Sequence, residues 1–215
     1  MRYFLKNIKN LITLTFVAII LISSSITTLF TSISFRMKLE QAIQNKLKSD
    51  LGFARELINI KYPGDWSVKN SELYKGEVLM NNNFEIVDKI KEISGNTATI
   101  FLGNTRITTN VKKSDGERAI GTKVSEIVEK VVLKEQKTYI GVADVVGVLN
   151  QTAYEPIRNS AGEVIGILYV GIPNTTYEYL IYEFVLLMIA FSVVLLLLGS
   201  VIMFVVINRK ISPLK

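Results

Sequence analysis

The stretch Tyr139–Ile172, YIGVADVVGVLNQTAYEPIRNSAGEVIGILYVGI, decides the expected fold of this chain. It holds three runs rich in Val, Ile and Tyr, residue types that suit a pleated, half-buried surface. The runs are Tyr139–Val146, Val148–Ile157 and Val164–Ile172. Gly147 separates the first two, and Asn159-Ser160-Ala161-Gly162-Glu163 has the composition of a chain reversal. The stretch therefore predicts three consecutive antiparallel strands.

Two long runs on either side of this region contain no charged residue. Leu11–Phe35 and Phe184–Ile207 each exceed the roughly 20 apolar residues that cross a bilayer as a helix. A removable signal peptide is the alternative for the first run, but its apolar region is usually only about 7 to 15 residues long. We therefore predict transmembrane helices over residues 11–35 and 179–207.

Basic residues are distributed unevenly along the chain. The terminal segments, residues 1–10 and 208–215, carry six of the 25 Lys and Arg residues and no acidic residue. The segment between the two apolar runs is nearly neutral, which argues against a nucleic-acid partner although the net charge is +6. By the positive-inside rule we expect both termini in the cytoplasm and residues 36–178 outside the cell (inner) membrane.

Upstream of the three strands, helix and strand signals alternate. Apolar residues recur at helical spacing from Arg36 to about Ile60, so one helix is expected to continue out of the first span until Pro63 and Gly64 stop it. The other predicted elements are strands at Trp66–Val68 and Glu72–Met80, a helix at Phe84–Ile93, a hairpin of Thr97–Leu102 with Arg106–Val111, and a helix at Glu126–Lys134 capped by Ser125.

Candidate ligand-binding residues lie on the predicted hairpin. A period of two along Arg106–Val111 puts Arg106, Thr108 and Asn110 on one face of the strand. The planar guanidinium of Arg106 can hold a carboxylate there, and a solvated outer face is the alternative. Arg118 is a second candidate anion contact, and the alternative is a surface charge or an ion pair with Asp115 or Glu117.

Four further residues are candidates for the same pocket. Tyr139 and Tyr154 either point their hydroxyls into it or pack in the sheet with a polar tip. Trp66 and Lys75 are candidates to close its mouth, with a packing anchor as the alternative for the tryptophan. Glycines within strands indicate close approach of a ligand or of another backbone.

Catalytic patterns are missing from the sequence. The chain has no Cys and no His, so it offers neither a thiolate nor the commonest general base and metal ligand. It contains no phosphate-binding glycine loop and no zinc-protease motif. We therefore expect a protein that is not an enzyme and that uses no cofactor and no metal.

Several short motifs together resemble the single Cache sensor domain of bacterial methyl-accepting chemotaxis proteins, over most of residues 36–178. They are Trp66, Lys75-Gly76, Val87-Asp88, Thr99-Ile100-Phe101, Arg106 with Thr109-Asn110-Val111, Asp115-Gly116, Arg118-Ala119, Gly121-Thr122, Tyr139 with Gly141 and Ala143, Tyr154-Glu155-Pro156, and Gly166 with Tyr169-Val170-Gly171. After the second span, Ile211–Leu214 resembles the opening of a HAMP relay helix. Compared with a full receptor of this kind, the 215 residues end before the body of HAMP and the coiled-coil signalling domain.

The resemblance implies an α+β, PAS-like fold: an antiparallel sheet with covering helices and a long N-terminal helix, flanked by the two membrane spans. It also implies a homodimer that binds a small extracellular metabolite and relays the signal through the second span to a cytoplasmic chemotaxis signalling domain or kinase complex. Arg106 suggests that the metabolite is anionic. The alternatives are the sensor region of a histidine kinase or cyclase, and a membrane docking protein without a small ligand.

Overall fold

A computed structural model describes residues 2–211 of the chain and the side chains of residues 8–209. It divides into two compact units, one of residues 1–39 with 177–215 and the other of Glu40–Thr176. The HAMP-like segment Ile211–Leu214 lies, beyond Ile211, outside the described residues. Secondary structure confirms the expected α+β class with antiparallel sheets.

Helix α1 runs without a break over Arg2–Lys61, which confirms the predicted continuation beyond the first apolar run. Its last backbone bond joins the Tyr62 amide to the Ile58 carbonyl at 2.8 Å, just before Pro63 ends the helix. Helix α4 covers Thr175–Val206 and continues as a π-helical turn over Ile207–Ile211. Among the described residues, α1 and α4 are the two helices long and apolar enough to cross a membrane.

The unit of residues 1–39 and 177–215 pairs the apolar parts of α1 and α4. The Phe35 and Phe184 rings stack with centroids 4.1 Å apart. Thr28 Oγ1 and Ser192 Oγ lie 3.3 Å apart, so one hydroxyl donates to the other across the two helices. Interhelical hydroxyl bonds of this kind stabilise helix pairs in lipid.

Between these helices in the sequence lie eight strands and two helices. The strands are β1 Trp66–Lys69, β2 Glu72–Lys75, β3 Val78–Leu79, β4 Thr97–Leu102, β5 Thr105–Thr109, β6 Tyr139–Val145, β7 Val148–Arg158 and β8 Val164–Pro173. The helices are α2 Phe84–Ser94 and the short α3 Glu126–Val128, which continues as a π-helical segment over Glu129–Lys134.

The main sheet has five antiparallel strands in the order β5-β4-β8-β7-β6. The predicted meander is confirmed as β6, β7 and β8. Val146 and Gly147, with φ of 57° and 80°, form the two-residue turn between β6 and β7, a geometry that matches the natural twist of a hairpin. In the second turn the Asn159 side chain accepts from the Ala161 and Glu163 amides.

The prediction of one strand over Glu72–Met80 is wrong, because this segment forms two strands, β2 and β3. Gly76 has a φ of +58°, and a Cβ there would lie 2.1 Å from the Pro63 carbonyl oxygen. Only glycine fits this approach, and the chain reverses at that point to pair β3 with β2. The strands β1, β2 and β3 form a separate three-stranded sheet.

The predicted helix Glu126–Lys134 also needs correction. Only its first three residues are α-helical, and the remainder widens to π-helical hydrogen bonding. Ser125 makes no capping hydrogen bond, and its buried hydroxyl has no partner among the described residues. Val128 and Val132 still pack against the sheet. The apolar stripe therefore predicted the buried side of this segment correctly, whereas the predicted Ser125 cap is wrong.

The two faces of the main sheet belong to different clusters. One, which we call the helix face, carries Ala98, Ile100, Ala153, Leu168 and Val170 and packs against α1 and α2. The other, which we call the tyrosine face, carries Phe101, Tyr139, Tyr154 and Tyr169 and is covered by residues from 111–134. The strand register therefore decides on which of the two faces each candidate residue lies.

Candidate functional site

A row of hydroxyl side chains crosses the tyrosine face. Tyr139 is opposite Tyr154 and Tyr154 is opposite Tyr169, with ring centroids 6.1 and 4.8 Å apart. Thr99 faces Tyr169 in β4, and Thr109 faces Thr99 in β5. Because facing residues of neighbouring strands project to the same side, the row contains three phenols followed by two threonines.

A β-bulge changes the predicted face of the Arg106 strand. Phe101 pairs with Arg106 and Ile100 pairs with Thr108. Ile107 is therefore the extra residue of the bulge and has no partner in β4. Arg106 therefore shares the tyrosine face with Phe101, whereas Thr108 shares the helix face with Ile100. The prediction that Arg106, Thr108 and Asn110 share one face is wrong, because strict alternation fails at the bulge.

Thr108 and Asn110 hold the helix face together. The Thr108 hydroxyl donates to the Asn83 carbonyl at 2.9 Å. The Asn110 amide donates to the Val87 carbonyl at 2.5 Å, and its oxygen accepts from the Ala98 amide at 2.8 Å. These bonds tie β5 to α2 and its N-terminal loop, and they occupy the polar atoms that were candidate ligand contacts.

Arg106 is a buried cation on the tyrosine face, only 2% exposed. Its Nη1 donates to the Thr122 hydroxyl, and its Cζ lies 5.0 Å from the centroid of the Phe101 ring. Its buried Nε has no hydrogen-bond partner, and no carboxylate of the described residues pairs with it. Burial lowers the pKa of Arg106, while the phenols of Tyr154 and Tyr169 act in the opposite direction.

The neighbouring phenols remain protonated. Burial raises the pKa of Tyr169 to about 12, although its bond with Thr97 and the charge of Arg106 act against the shift. Burial also raises the pKa of Tyr154 far above its usual range. The Tyr169 hydroxyl donates to Thr97, whose own hydroxyl donates to the Gly171 carbonyl, so at neutral pH Tyr154 is the O–H donor left beside the guanidinium, a combination suited to an anion.

Two glycines make room for the tyrosine rings. A Cβ on Gly171 would lie 2.2 Å from the Tyr169 hydroxyl, which bonds Thr97 at 3.0 Å. A Cβ on Gly141 would lie 3.2 Å from the Tyr139 hydroxyl, which donates to the Val142 carbonyl at 2.6 Å. Each tyrosine thus leans along its own strand over a glycine two residues later, which explains two of the strand glycines.

Arg118 is fully engaged elsewhere. Its guanidinium makes two bonds to the Asp88 carboxylate, at 2.7 and 2.9 Å, and donates to the Thr109 carbonyl at 2.7 Å. It also stacks over Phe84, with Cζ 4.4 Å from the ring centroid. The ion-pair alternative fits Arg118 best, but the partner is Asp88 in α2 and neither Asp115 nor Glu117.

Trp66 and Lys75 lie at a different place from the tyrosine face. Both line a cleft of about 320 Å³ between α1, the β1-β2 hairpin and the end of β7, together with Arg55, Glu155 and Leu168. The Lys75 Nζ donates to the Gly64 carbonyl and lies 5.7 Å from the Trp66 ring centroid. The structure thus separates the predicted pocket residues into two groups, and these two do not close a mouth over Arg106.

Other residues of the tyrosine face were not among the candidates. They are Thr97, Thr99, Phe101, Thr109, Thr122 and Tyr169. The signal that could have found Tyr169 is the spacing of tyrosines at the same position in three consecutive strands, once the hairpin turns fix the register. Within the described residues, no group of three or more Asp and Glu side chains is placed to hold a metal ion.

Residues 78–184 match the sequence model of the family described as single cache domain 3. The matched region includes the whole five-stranded sheet with α2 and α3. Residues 78–184 therefore belong to the single Cache domain family, and the chain has the Cache fold. No curated protein matches the sequence.

The solved structures to which this chain is similar include sensor domains of two bacteria. The Escherichia coli DcuS sensor domain has a TM-score of 0.36 at 9% identity, over 47% of this chain and 70% of that one. The ligand-binding domain of the Campylobacter jejuni chemoreceptor Tlp3 in complex with L-valine has a TM-score of 0.38 at 18% identity, over 71% and 66%. The same sensory domain with isoleucine bound has a TM-score of 0.37, again at 18% identity over 71% and 66%.

Proposed function

We propose that this chain is the sensor region of a transmembrane chemoreceptor whose outer domain binds a small extracellular metabolite bearing a carboxylate. The observation that carries the proposal is Arg106, a buried guanidinium without a carboxylate partner in the described chain. A buried charge is costly unless it is paired. A ligand carboxylate supplies the missing counter-ion, and two parallel N–H bonds can hold it.

The surroundings of Arg106 favour an organic anion over an inorganic one. The Phe101, Tyr154 and Tyr169 rings give an apolar wall, and the protonated Tyr154 phenol adds a donor to the carboxylate. Val111, Ala119 and Val124 cover this face. Ligand entry therefore requires the segment of residues 111–124 to move away from the sheet.

The route of the signal follows from the chain order. Tyr169 lies in β8, β8 ends at Pro173, and α4 begins at Thr175. A ligand that favours one arrangement of β8 thereby biases the start of the second apolar helix, to the extent of its differential affinity for the two arrangements. In this proposal the sensor is a homodimer with both termini in the cytoplasm, and α4 leads into HAMP and a methyl-accepting signalling domain.

The test is a thermal-shift screen of the 215-residue chain in lipid nanodiscs, with the single tryptophan Trp66 as the unfolding signal. Acetate, lactate and succinate are compared with methylammonium and with glycerol. We expect at least one carboxylate to raise the melting temperature, because a ligand that binds only the folded state stabilises it. If only the amine or glycerol raised it, the carboxylate proposal would fail.

Matched variants of Arg106 and Arg118 show which arginine is needed for the carboxylate-induced rise in melting temperature. Arg106→Gln is expected to abolish the carboxylate shift, and Arg106→Lys is expected to weaken binding about tenfold because lysine lacks the planar fork. Arg118→Gln removes the same charge from an arginine already paired with Asp88 and should leave the shift unchanged. Equal losses in Arg106→Gln and Arg118→Gln would mean that general charge, and not this site, attracts the anion.

Membrane topology is tested separately. The sequence has no cysteine, so single substitutions Lys112→Cys and Arg209→Cys are unique labelling sites. We expect Lys112→Cys to react with an impermeant maleimide outside intact cells and Arg209→Cys to react only after permeabilisation, because the terminal segments are basic. The reverse pattern would overturn the proposed orientation.

A further inference from the structure

The cleft beside Trp66 contains a second buried cation. Of the Lys, Arg, Asp and Glu residues in the described part of the chain, only Arg106 and Lys75 are buried, and Lys75 is 6% exposed. The cleft lies on the other side of the main sheet from Arg106. Its wall residues Glu155 and Leu168 face each other on β7 and β8 with the helix-face register, one position away from the Tyr154 and Tyr169 pair.

Five charged residues line this cleft, and three of them, Arg55, Glu155 and Arg158, are bonded to other side chains. Arg55 Nη1 bonds Glu155 Oε2 at 3.0 Å. Arg158 donates to the Gln136 side chain and to the Gly162 carbonyl, each at 2.9 Å. Asp65 is exposed to solvent. The groups shielded from solvent that still have bonding capacity for a ligand are Lys75 Nζ and the second carboxylate oxygen of Glu155, Oε1.

Both of these groups are incompletely paired. Lys75 donates one of its three N–H groups, to the Gly64 carbonyl, and has no carboxylate partner in the described chain. The Glu155 side chain is 14% exposed, and only its Oε2 bonds a described residue. Burial raises the pKa of Glu155, with Arg55 acting against the shift. Lys75 and Glu155 form no ion pair with each other, so the cleft has a cationic and an anionic group that do not meet.

We propose that this cleft binds a small zwitterion, with its carboxylate on Lys75 Nζ and its ammonium on Glu155 Oε1. A molecule carrying both charges bonds both groups at once, whereas a simple anion leaves Glu155 Oε1 without a hydrogen-bond partner and a simple amine leaves Lys75 without a counter-ion. The volume of about 320 Å³ is at the lower end of ligand pockets and suits a molecule of a few heavy atoms. This site is independent of the one proposed around Arg106.

The test uses the 215-residue chain carrying Arg106→Gln in nanodiscs, so that the tyrosine face does not contribute. Trp66 lines the cleft and is the only tryptophan in the sequence, so its emission reports binding there. The probes are glycine, β-alanine and γ-aminobutyrate, which differ in charge separation, with acetate and methylammonium as single-charge controls. We expect at least one zwitterion to change the emission saturably and to bind at least tenfold more tightly than acetate or methylammonium.

Substitutions then assign the two charges. Lys75→Met and the isosteric Glu155→Gln should each weaken that zwitterion at least tenfold. Lys69→Met, in the same hairpin, and Glu77→Gln are exposed charge controls and should change nothing. If Lys75→Met does not fold, Glu155→Gln alone decides the question.

Three outcomes overturn the proposal. They are no saturable change with any zwitterion, acetate or methylammonium binding as tightly as the best zwitterion, and an equal loss of binding in Lys69→Met or Glu77→Gln. None of them bears on Arg106, because the arginine is already substituted. Success of the carboxylate screen on the native chain and failure of this one are therefore separate results.

Discussion

The two faces of the five-stranded sheet are both buried, yet they are built from different chemistry. The helix face is almost entirely aliphatic and packs against aliphatic residues of α1 and α2. The tyrosine face holds Arg106, three phenols and a row of threonine hydroxyls beneath a thin cover. Aliphatic burial stabilises a fold by itself, whereas a buried guanidinium without a counter-ion does not. The helix face thus accounts for the stability of the fold, and the unpaired charge buried in the tyrosine face is the reason that we propose a ligand there.

The largest expected effect is on the helix face. Ile100 is fully buried there, and Ile100→Ala should lower the free energy of unfolding by about 3 kcal/mol through lost burial and the remaining cavity. Denaturant titration of the nanodisc-embedded chain measures this. Ile127→Ala, at an exposed position of the same residue type, should cost less than about 0.5 kcal/mol. Similar losses of unfolding free energy in Ile100→Ala and Ile127→Ala would contradict the burial of Ile100 in the core.

Alkaline pH should lower the free energy of unfolding by ionising Tyr169 on the tyrosine face. The pKa of Tyr169 is about 12 in the folded chain against 10.0 ordinarily, so its contribution to stability is complete below pH 10 and is lost as the pH rises to about 12. The loss is on the order of 2–3 kcal/mol, at about 1.4 kcal/mol per pKa unit. Unfolding titrations between pH 9 and 12 should show a shallower decline in Tyr169→Phe. An unchanged slope would mean that Tyr169 is not buried as described.

Gly171 links stability to the proposed site. In Gly171→Ala the new Cβ meets the Tyr169 hydroxyl, so the ring must move and its bond to Thr97 must break. We expect a loss of roughly 1–3 kcal/mol, typical of overpacking, and weaker carboxylate binding in the thermal-shift assay. Gly52→Ala, in α1, where a Cβ would make only an ordinary contact with Arg55 Nη2 at 3.9 Å, should instead stabilise the chain by roughly 0.5–1 kcal/mol. Stabilisation by both would contradict the close approach.

The smallest expected effect concerns Arg118. Its pair with Asp88 is partly exposed, so Asp88→Asn should cost at most about 1 kcal/mol, and less at high salt. Carboxylate affinity should not change, because Arg118 stays bonded to the Thr109 carbonyl. Calorimetric titration of Asp88→Asn and of Arg118→Gln with the best carboxylate of the screen measures the affinity of each variant. A large drop in affinity for Asp88→Asn would make Arg118 part of the ligand site.

Much of the fold follows from local patterns in the sequence. The meander, α2, the β4-β5 hairpin and the continuous α1 were predictable because apolar periodicity and turn residues act over a few positions. The division of Glu72–Met80 was not predictable in this way, because it depends on Gly76 meeting the Pro63 carbonyl through space. The π-helical widening after Val128 has no local signal that we recognise.

The candidate site was predictable only in part, because its geometry depends on long-range pairing. Arg106 and Tyr154 were found as residue types, but one bulge at Ile107 decides that Thr108 and Asn110 face away. Arg118 pairs with Asp88, 30 positions earlier in the chain, in preference to its acidic neighbours in the sequence. Trp66 and Lys75 are brought to a separate cleft by α1 and β7. Tyr169 needed the strand register before its place in the row could be recognised.

The most direct test of the central claim observes the Arg106 Nε–H group itself. Nitrogen-15 NMR of the arginine Nε–H signals, with Arg106 assigned by its loss in Arg106→Gln, reports the one buried guanidinium nitrogen without a partner among the described residues. On addition of the best carboxylate from the screen, we predict that this signal shifts saturably while that of Arg118 stays in place. A stationary Arg106 signal at ligand saturation would contradict the account.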